Sequence, residues 1–217
     1  MRRSQEEKQS VLEAIRKLSD IFWGPDSQKC AEIWKEEYWA SFEKNIPRSD
    51  TDSGNALAGI WTWLRTFTGP EDLCSSLEEN YVRLFISDRQ GIKTPLYASC
   101  YEGDDPKEKT PLMGQAARAM MERFYSRGLG LAEDLGEPPD HLSIELEYLY
   151  YILEKGWEED NELLLQEASS FSTEVMLPWV RKFRQGLTSM EKENPFYLPI
   201  ATLLCGILQF VGNLSVK

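Results

Sequence analysis

The chain has a single histidine, His141, and only four cysteines, Cys30, Cys74, Cys100 and Cys205. No two cysteines form a CxxC pair, and their spacing matches no zinc module. They are also too sparse for a disulfide-stapled secreted fold, so they read as reduced, mostly buried thiols of a cytoplasmic protein. Basic residues are in short supply: 24 Lys and Arg against 36 Asp and Glu give a net charge of −12 over 217 residues. Duplex binding needs a basic patch to displace counterions, so nucleic acid is excluded as a main partner. An anionic membrane surface is disfavoured for the same reason. A basic segment of a partner, in contrast, is attracted.

Long apolar runs are scarce as well. The most apolar stretch, FYLPIATLLCGILQFVGNL, is interrupted by Pro199 and Gly206. It falls short of the ~20 apolar residues a span requires, so it reads as a buried helix with no stable membrane insertion. The N-terminal Arg2-Arg3 pair is followed by Glu6, Glu7, Lys8 and Glu13 rather than an uncharged apolar region. The expectation is that it is not itself an export signal.

What remains is rich in apolar and aromatic residues, at 41% and 12%. That composition can close a core. The apolar positions recur at helical spacing. Val11, Ile15, Leu18 and Phe22 form a first stripe that ends at Gly24-Pro25. Further helices are predicted through AEIWKEEYWASFEKN, through Leu57–Phe67, through Leu73–Phe85, from Met113 to Phe124, from Asp140, from Asn161 towards Met176, and over the last apolar stretch. Pro178 either kinks the chain or starts a new turn. No strict alternation argues for a sheet, and no fixed repeat is visible. The fold class is therefore all-α, a single bundle-like domain of about 8–10 helices. A break near 128–139 divides it into an N-terminal lobe of about 1–127 and a C-terminal lobe of about 140–217. Such a hinge allows either a monomer or a domain-swapped dimer.

Two segments depart from the helical rhythm. One is a loop of about 25 residues, SDRQGIKTPLYASCYEGDDPKEKTP, of the length that is usually functional. The other is GEPPDHLSIELEYLYYILEKG. Its prolines, Pro138 and Pro139, hold the preceding residues extended. Asp140 then stands where an N-cap belongs, and Leu142, Leu146, Leu149 and Leu153 bury one helix face. His141, Glu145 and Tyr148 share a neighbouring face.

Several chemistries compete for this corner. A metal site lacks a second histidine. An acid–base catalyst lacks a nucleophile elbow, an activated Cys–His signature and a phosphate loop. A plain cap with His141 against Glu145 remains open, as does a binding surface where carboxylates and rings meet a basic peptide. In the enzymatic alternative, a small hydrolase or nucleotide-dependent enzyme would use Asp140 and His141. In another, the chain is a helical adaptor.

NYVRLFISDRQGIKTPLYASCYEG contains Tyr-x-x-Leu-Phe followed by the PLYASCY loop, and EPPDHLSIELEYLYYIL contains Glu-Pro-x-Asp-His-x-x-x-Glu-Leu. Together with LPWVRKFRQGL and NPFYLPIATLLCGIL, these segments resemble the TorD/DmsD/NarJ family of redox-enzyme maturation chaperones, over roughly residues 75–210. PLYASCY and PPDH lean towards the TorD/DmsD branch. Leu96 and Ala98 depart from many relatives, which leaves the client undetermined. The resemblance implies an all-helical cytoplasmic chaperone with no catalytic role. Its partner would be the twin-arginine signal peptide or N-terminal segment of a molybdenum or tungsten oxidoreductase catalytic subunit, held until the molybdopterin cofactor is inserted. It also implies weak guanine-nucleotide binding, which nothing in the residues themselves supports; no other cofactor is expected.

Carried over by position, the peptide-binding residues are Asp140 and His141, with Glu137, Pro138 and Pro139 shaping the turn. Tyr81, Pro95, Tyr97, Ser99 and Tyr101 belong to the first motif, and Asp88 lies in its loop. Glu145 orients His141, while Leu84 and Phe85 fit the core. Asp140, with Asp88 or Glu137, would pair with the client arginines, tyrosines would line the groove, and His141 would make affinity pH-dependent near its ordinary pKa of ~6.5.

Overall fold

The structure is a computed structural model, and it describes residues 4–46, 50–87, 92, 94–103, 113–130, 136–189 and 195–215. Among these the chain is all-α. The helices are α1 (Gln5–Phe22), α2 (Ser27–Ile33), α3 (Ala40–Asn45), α4 (Thr51–Leu64), α5 (Pro70–Tyr81), α6 (Gln115–Ser126), α7 (Leu142–Glu158), α8 (Glu162–Ser170), α9 (Leu177–Thr188) and α10 (Tyr197–Gly212). The only β-type pairing in this set is an isolated antiparallel bridge between Tyr97 and His141. No helix among them is long and apolar enough to cross a membrane, and no cluster of three His, Cys, Asp or Glu side chains could hold a metal ion.

Local chemistry sets the helix starts. Ser4 and Glu7 form a reciprocal capping box at α1, Asp26, Asp50 and Asn161 cap α2, α4 and α8, and Pro70 opens α5. The helix expected through AEIWKEEYWASFEKN is instead three pieces, α2, a 3₁₀ turn Glu36–Trp39, and α3. The turn places the Trp39 ring inside the core, where its Nε1 donates to the Ile33 carbonyl at 3.0 Å. Burying that ring outweighs helix continuity. The expected helix ending at Phe85 runs as α5 and then one π-helical turn, Val82–Ile86; this rotates Leu84 and Phe85 into the core. A second π turn, Phe171–Met176, joins α8 to α9, and Pro178 stands at the start of α9 directly after that turn. Met113 precedes α6 rather than lying on it, with φ 65° and its side chain exposed.

Helix α1 lies along α7. Their contact is close because small residues meet: Ser19 Oγ donates to the Ser143 carbonyl at 3.2 Å, and Ser143 Oγ donates back to the Ser19 carbonyl at 2.9 Å. The apolar helix α10 packs on α4, α9 and the second π turn. One continuous cluster of buried side chains runs through both expected lobes. Of the expected hinge, residues 131–135 lie outside the described set.

Phe22, fully buried at the end of α1, packs among the rings of three other segments. Its ring meets Phe183 of α9 at 5.8 Å, and Phe85 and Tyr197 each at 6.5 Å. Phe22→Ala is expected to lower the unfolding free energy by about 3–5 kcal/mol. Denaturant titration followed by circular dichroism measures it.

Candidate functional site

The two unusual segments of the sequence meet. The loop 94–103 docks on the start of α7 through two main-chain bonds, Ala98 N–H to the Asp140 carbonyl at 3.0 Å and Leu142 N–H to the Leu96 carbonyl at 2.8 Å. A third bond is ionic in character: the Ser99 N–H donates to Asp140 Oδ2 at 2.8 Å. Asp140 is completely buried there. The Pro138-Pro139 turn closes with His141 N–H donating to the Pro138 carbonyl at 3.0 Å.

This placement corrects the expected role of Asp140. The N-cap of α7 is His141, whose Nδ1 accepts from the Ser143 N–H at 3.2 Å. The Asp140 carboxylate is turned away to the loop, where a main-chain N–H would otherwise be buried unpaired. An accepting Nδ1 also fixes the tautomer, leaving the proton of the neutral ring on Nε2. The ring is sandwiched: the Trp23 indole stacks on it at 4.8 Å and 14°, and the Tyr97 ring meets it edge-on at 5.3 Å. Burial pushes the His141 pKa down to about 4, against the opposing pull of the Glu137 and Asp140 carboxylates. His141 is thus neutral near pH 7, and the expected titration near 6.5 does not occur.

Glu145 does not orient His141. It is completely buried one turn into α7, where its Oε2 accepts from Trp179 Nε1 at 3.0 Å. Burial raises its pKa to about 8, with the Asp140 charge adding to the shift and the Trp179 bond opposing it. Among the described residues, Glu145 Oε1, Asp140 Oδ1 and Ser99 Oγ are buried without a hydrogen-bond partner. Polar atoms in that state are costly, by about 1–3 kcal/mol each.

Around this buried seam lies a half-buried rim. The Tyr97 hydroxyl donates to Glu137 Oε2 at 2.7 Å. The Tyr81 hydroxyl donates to the Phe22 carbonyl at 2.9 Å, at the end of α1. Gly24, just beyond, has φ 96°, and a Cβ there would stand 3.1 Å from the Tyr81 ring; glycine serves both needs. The Tyr101 hydroxyl donates to the Pro95 carbonyl at 2.8 Å, and its ring stacks on Trp179 at 5.5 Å. Tyr81, Tyr97, Glu137, Pro138 and His141 are therefore gathered at one corner, whereas Tyr101 and Ser99 face α9 and the interior. Pro139 is buried beneath the turn. Asp88 lies outside the described residues. Sequence reasoning missed Trp23 and Glu147, which complete the corner: Trp23 Nε1 donates to Glu147 Oε1 at 2.6 Å. The available signal was a tryptophan at a helix stop, off the apolar stripe.

Two predictions follow from the seam. Asp140→Ala leaves the Ser99 N–H buried and unpaired. It should cost about 1–3 kcal/mol and raise amide exchange in residues 96–100, read by hydrogen–deuterium exchange. For Glu145, the folded state keeps a proton between pH 4.5 and about 8 that the unfolded chain has lost. Stability should therefore fall as pH rises through that window. His141 acts oppositely, adding stability as pH rises from about 4 to 6.5. Above pH 6.5 only the Glu145 effect remains of the two, and Glu145→Gln should flatten the pH 6.5–9 stability profile in thermal melts.

The segments that meet here lie within the region that matches known proteins. The family model described as Nitrate reductase delta subunit matches residues 47–185. Chaperone protein TorD of Vibrio parahaemolyticus is 30% identical over 207 residues, covering 90% of this chain and 93% of its own length. Chaperone protein TorD of Shewanella amazonensis is 27% identical over 183 residues, covering 77% and 73%. A solved structure of a redox enzyme maturation protein from Archaeoglobus fulgidus superposes with a TM-score of 0.52 at 22% identity, covering 96% of this chain and 97% of that one; the likeness is one of fold. The matched region starts upstream of the motifs and takes in α4 and α5. The chain belongs to the nitrate reductase delta subunit family, the family of the TorD redox-enzyme maturation chaperones.

Proposed function

We propose that the protein is a cytoplasmic maturation chaperone that binds the twin-arginine signal peptide, or N-terminal segment, of a molybdenum or tungsten oxidoreductase catalytic subunit. It would hold the client back until its cofactor is in place. The observation that carries this reading is the docking of the PLYASCY loop onto the Glu137–His141 turn, with a half-buried tyrosine–carboxylate rim around a buried frame. The net charge of −12 favours encounter with a basic peptide.

Within this reading the roles divide by burial. Asp140, Ser99, Pro139 and Glu145 are buried and hold the frame. Glu137, Pro138, Tyr97 and Tyr81 are half-buried and offer contact surface. Glu137 is the carboxylate best placed to receive a guanidinium, since its partner Tyr97 donates a neutral hydroxyl and no cation pairs with it among the described residues. His141 contributes shape and one N–H rather than charge.

Calorimetric titration with a synthetic twin-arginine peptide tests the proposal. Glu137→Gln is expected to weaken binding by about tenfold. Affinity should be nearly constant between pH 6.5 and 7.5, since His141 stays neutral there. A wild-type protein that binds no such peptide, and recovers no molybdoenzyme precursor from its host, would sink the reading.

A further inference from the structure

Trp23 stands at the rim of the same corner with a use that its packing does not exhaust. It is the C-cap that follows α1, just before Gly24, and is only partly buried. One face of its indole is covered by the buried His141 ring, the only ring it meets among the described residues. No cation sits over it in that set. Its Nε1–H is anchored on Glu147, an exposed carboxylate of α7. Ser19 Oγ holds the same Glu147 oxygen at 3.3 Å. Trp23 is thus held between His141 and Glu147, while Glu147 takes the indole N–H and shares the Ser19 hydroxyl proton with the Ser143 carbonyl.

The surroundings favour positive charge. The last turn of α1 carries no basic residue, so the negative end of the helix is uncompensated within it. Lys29 Nζ, beside Gly24, is occupied by the Gly24 carbonyl at 2.8 Å and lies in an ion pair with Asp26 at 3.6 Å. The Glu137 carboxylate is also close enough to act on the His141 ring. An indole face beside a fixed carboxylate suits a guanidinium: it stacks flat on the ring while its N–H groups reach the carboxylate. An ammonium offers a point charge and no plane to stack.

We infer that Trp23 and Glu147 together form a seat for an arginine side chain of the bound peptide, and that this seat discriminates arginine from lysine. The inference rests on the peptide-binding reading above and adds two residues and a selection rule to it.

The test compares twin-arginine and twin-lysine versions of one signal peptide by fluorescence anisotropy, against wild type, Trp23→Leu and Glu147→Gln. Wild type should prefer the arginine peptide by about tenfold or more, and Trp23→Leu should bring that ratio close to one. Glu147 is exposed, so Glu147→Gln is expected to keep the fold, and it should weaken both peptides and narrow the ratio. If both variants keep the wild-type ratio while wild type binds, the seat is wrong and the chaperone reading stands. If wild type binds neither peptide, both fall together.

Discussion

The start of α7 depends on one buried carboxylate. Asp140 has no exposed surface, and its Oδ2 takes the Ser99 N–H of a loop some forty residues earlier in the chain. A charge-assisted bond in a dry setting is stronger than its surface counterpart, and loss of either partner leaves the other stranded. Without it, the loop would be held to the start of α7 only by its two main-chain bonds to Asp140 and Leu142. Everything the corner displays, the Tyr97 hydroxyl on Glu137 and the ring edge against His141, is positioned through that loop.

The frame is polar in an otherwise apolar core, and that is costly. Glu145 sits one turn further along α7, completely buried, with one oxygen on Trp179 and its acidity suppressed to about pH 8. His141 is held neutral by the same burial. The corner thus presents little positive charge of its own at neutral pH while Glu137 and Glu147 remain at the rim. In the proposed role, such a corner would select for a cation by leaving carboxylates where a basic segment can reach them, and would keep its own titratable frame out of the exchange. The Ser19–Ser143 contact brings α1 close enough for Trp23 to cap the histidine ring.

Much of the fold was legible because helical periodicity is a local signal. The stripe Val11–Phe22, the stop at Gly24-Pro25 and the run from Leu142 all appear as helices in the structure. Failures came where tertiary burial competed with helix continuity. Trp39 broke one expected helix, and Leu84 with Phe85 drew another into a π turn. The site was half legible. Its motif residues were recognisable, but their division into buried frame and accessible rim was not. An aspartate after two prolines looks like a helix cap, and only the arrival of the Ser99 amide shows why it is not one.

The sequence by itself determined the helix class, the acidic character, the two motif segments and the family. These depend on spacing, composition and short ordered patterns, which need no knowledge of distant neighbours. The tertiary structure alone decided that His141 caps α7, that it is neutral, that Asp140 and Glu145 are frame rather than surface, and that Trp23 and Glu147 belong to the corner. The reason is physical: burial and hydrogen-bond partners set the charge state and accessibility of a side chain, and here those partners come from segments far apart in the chain.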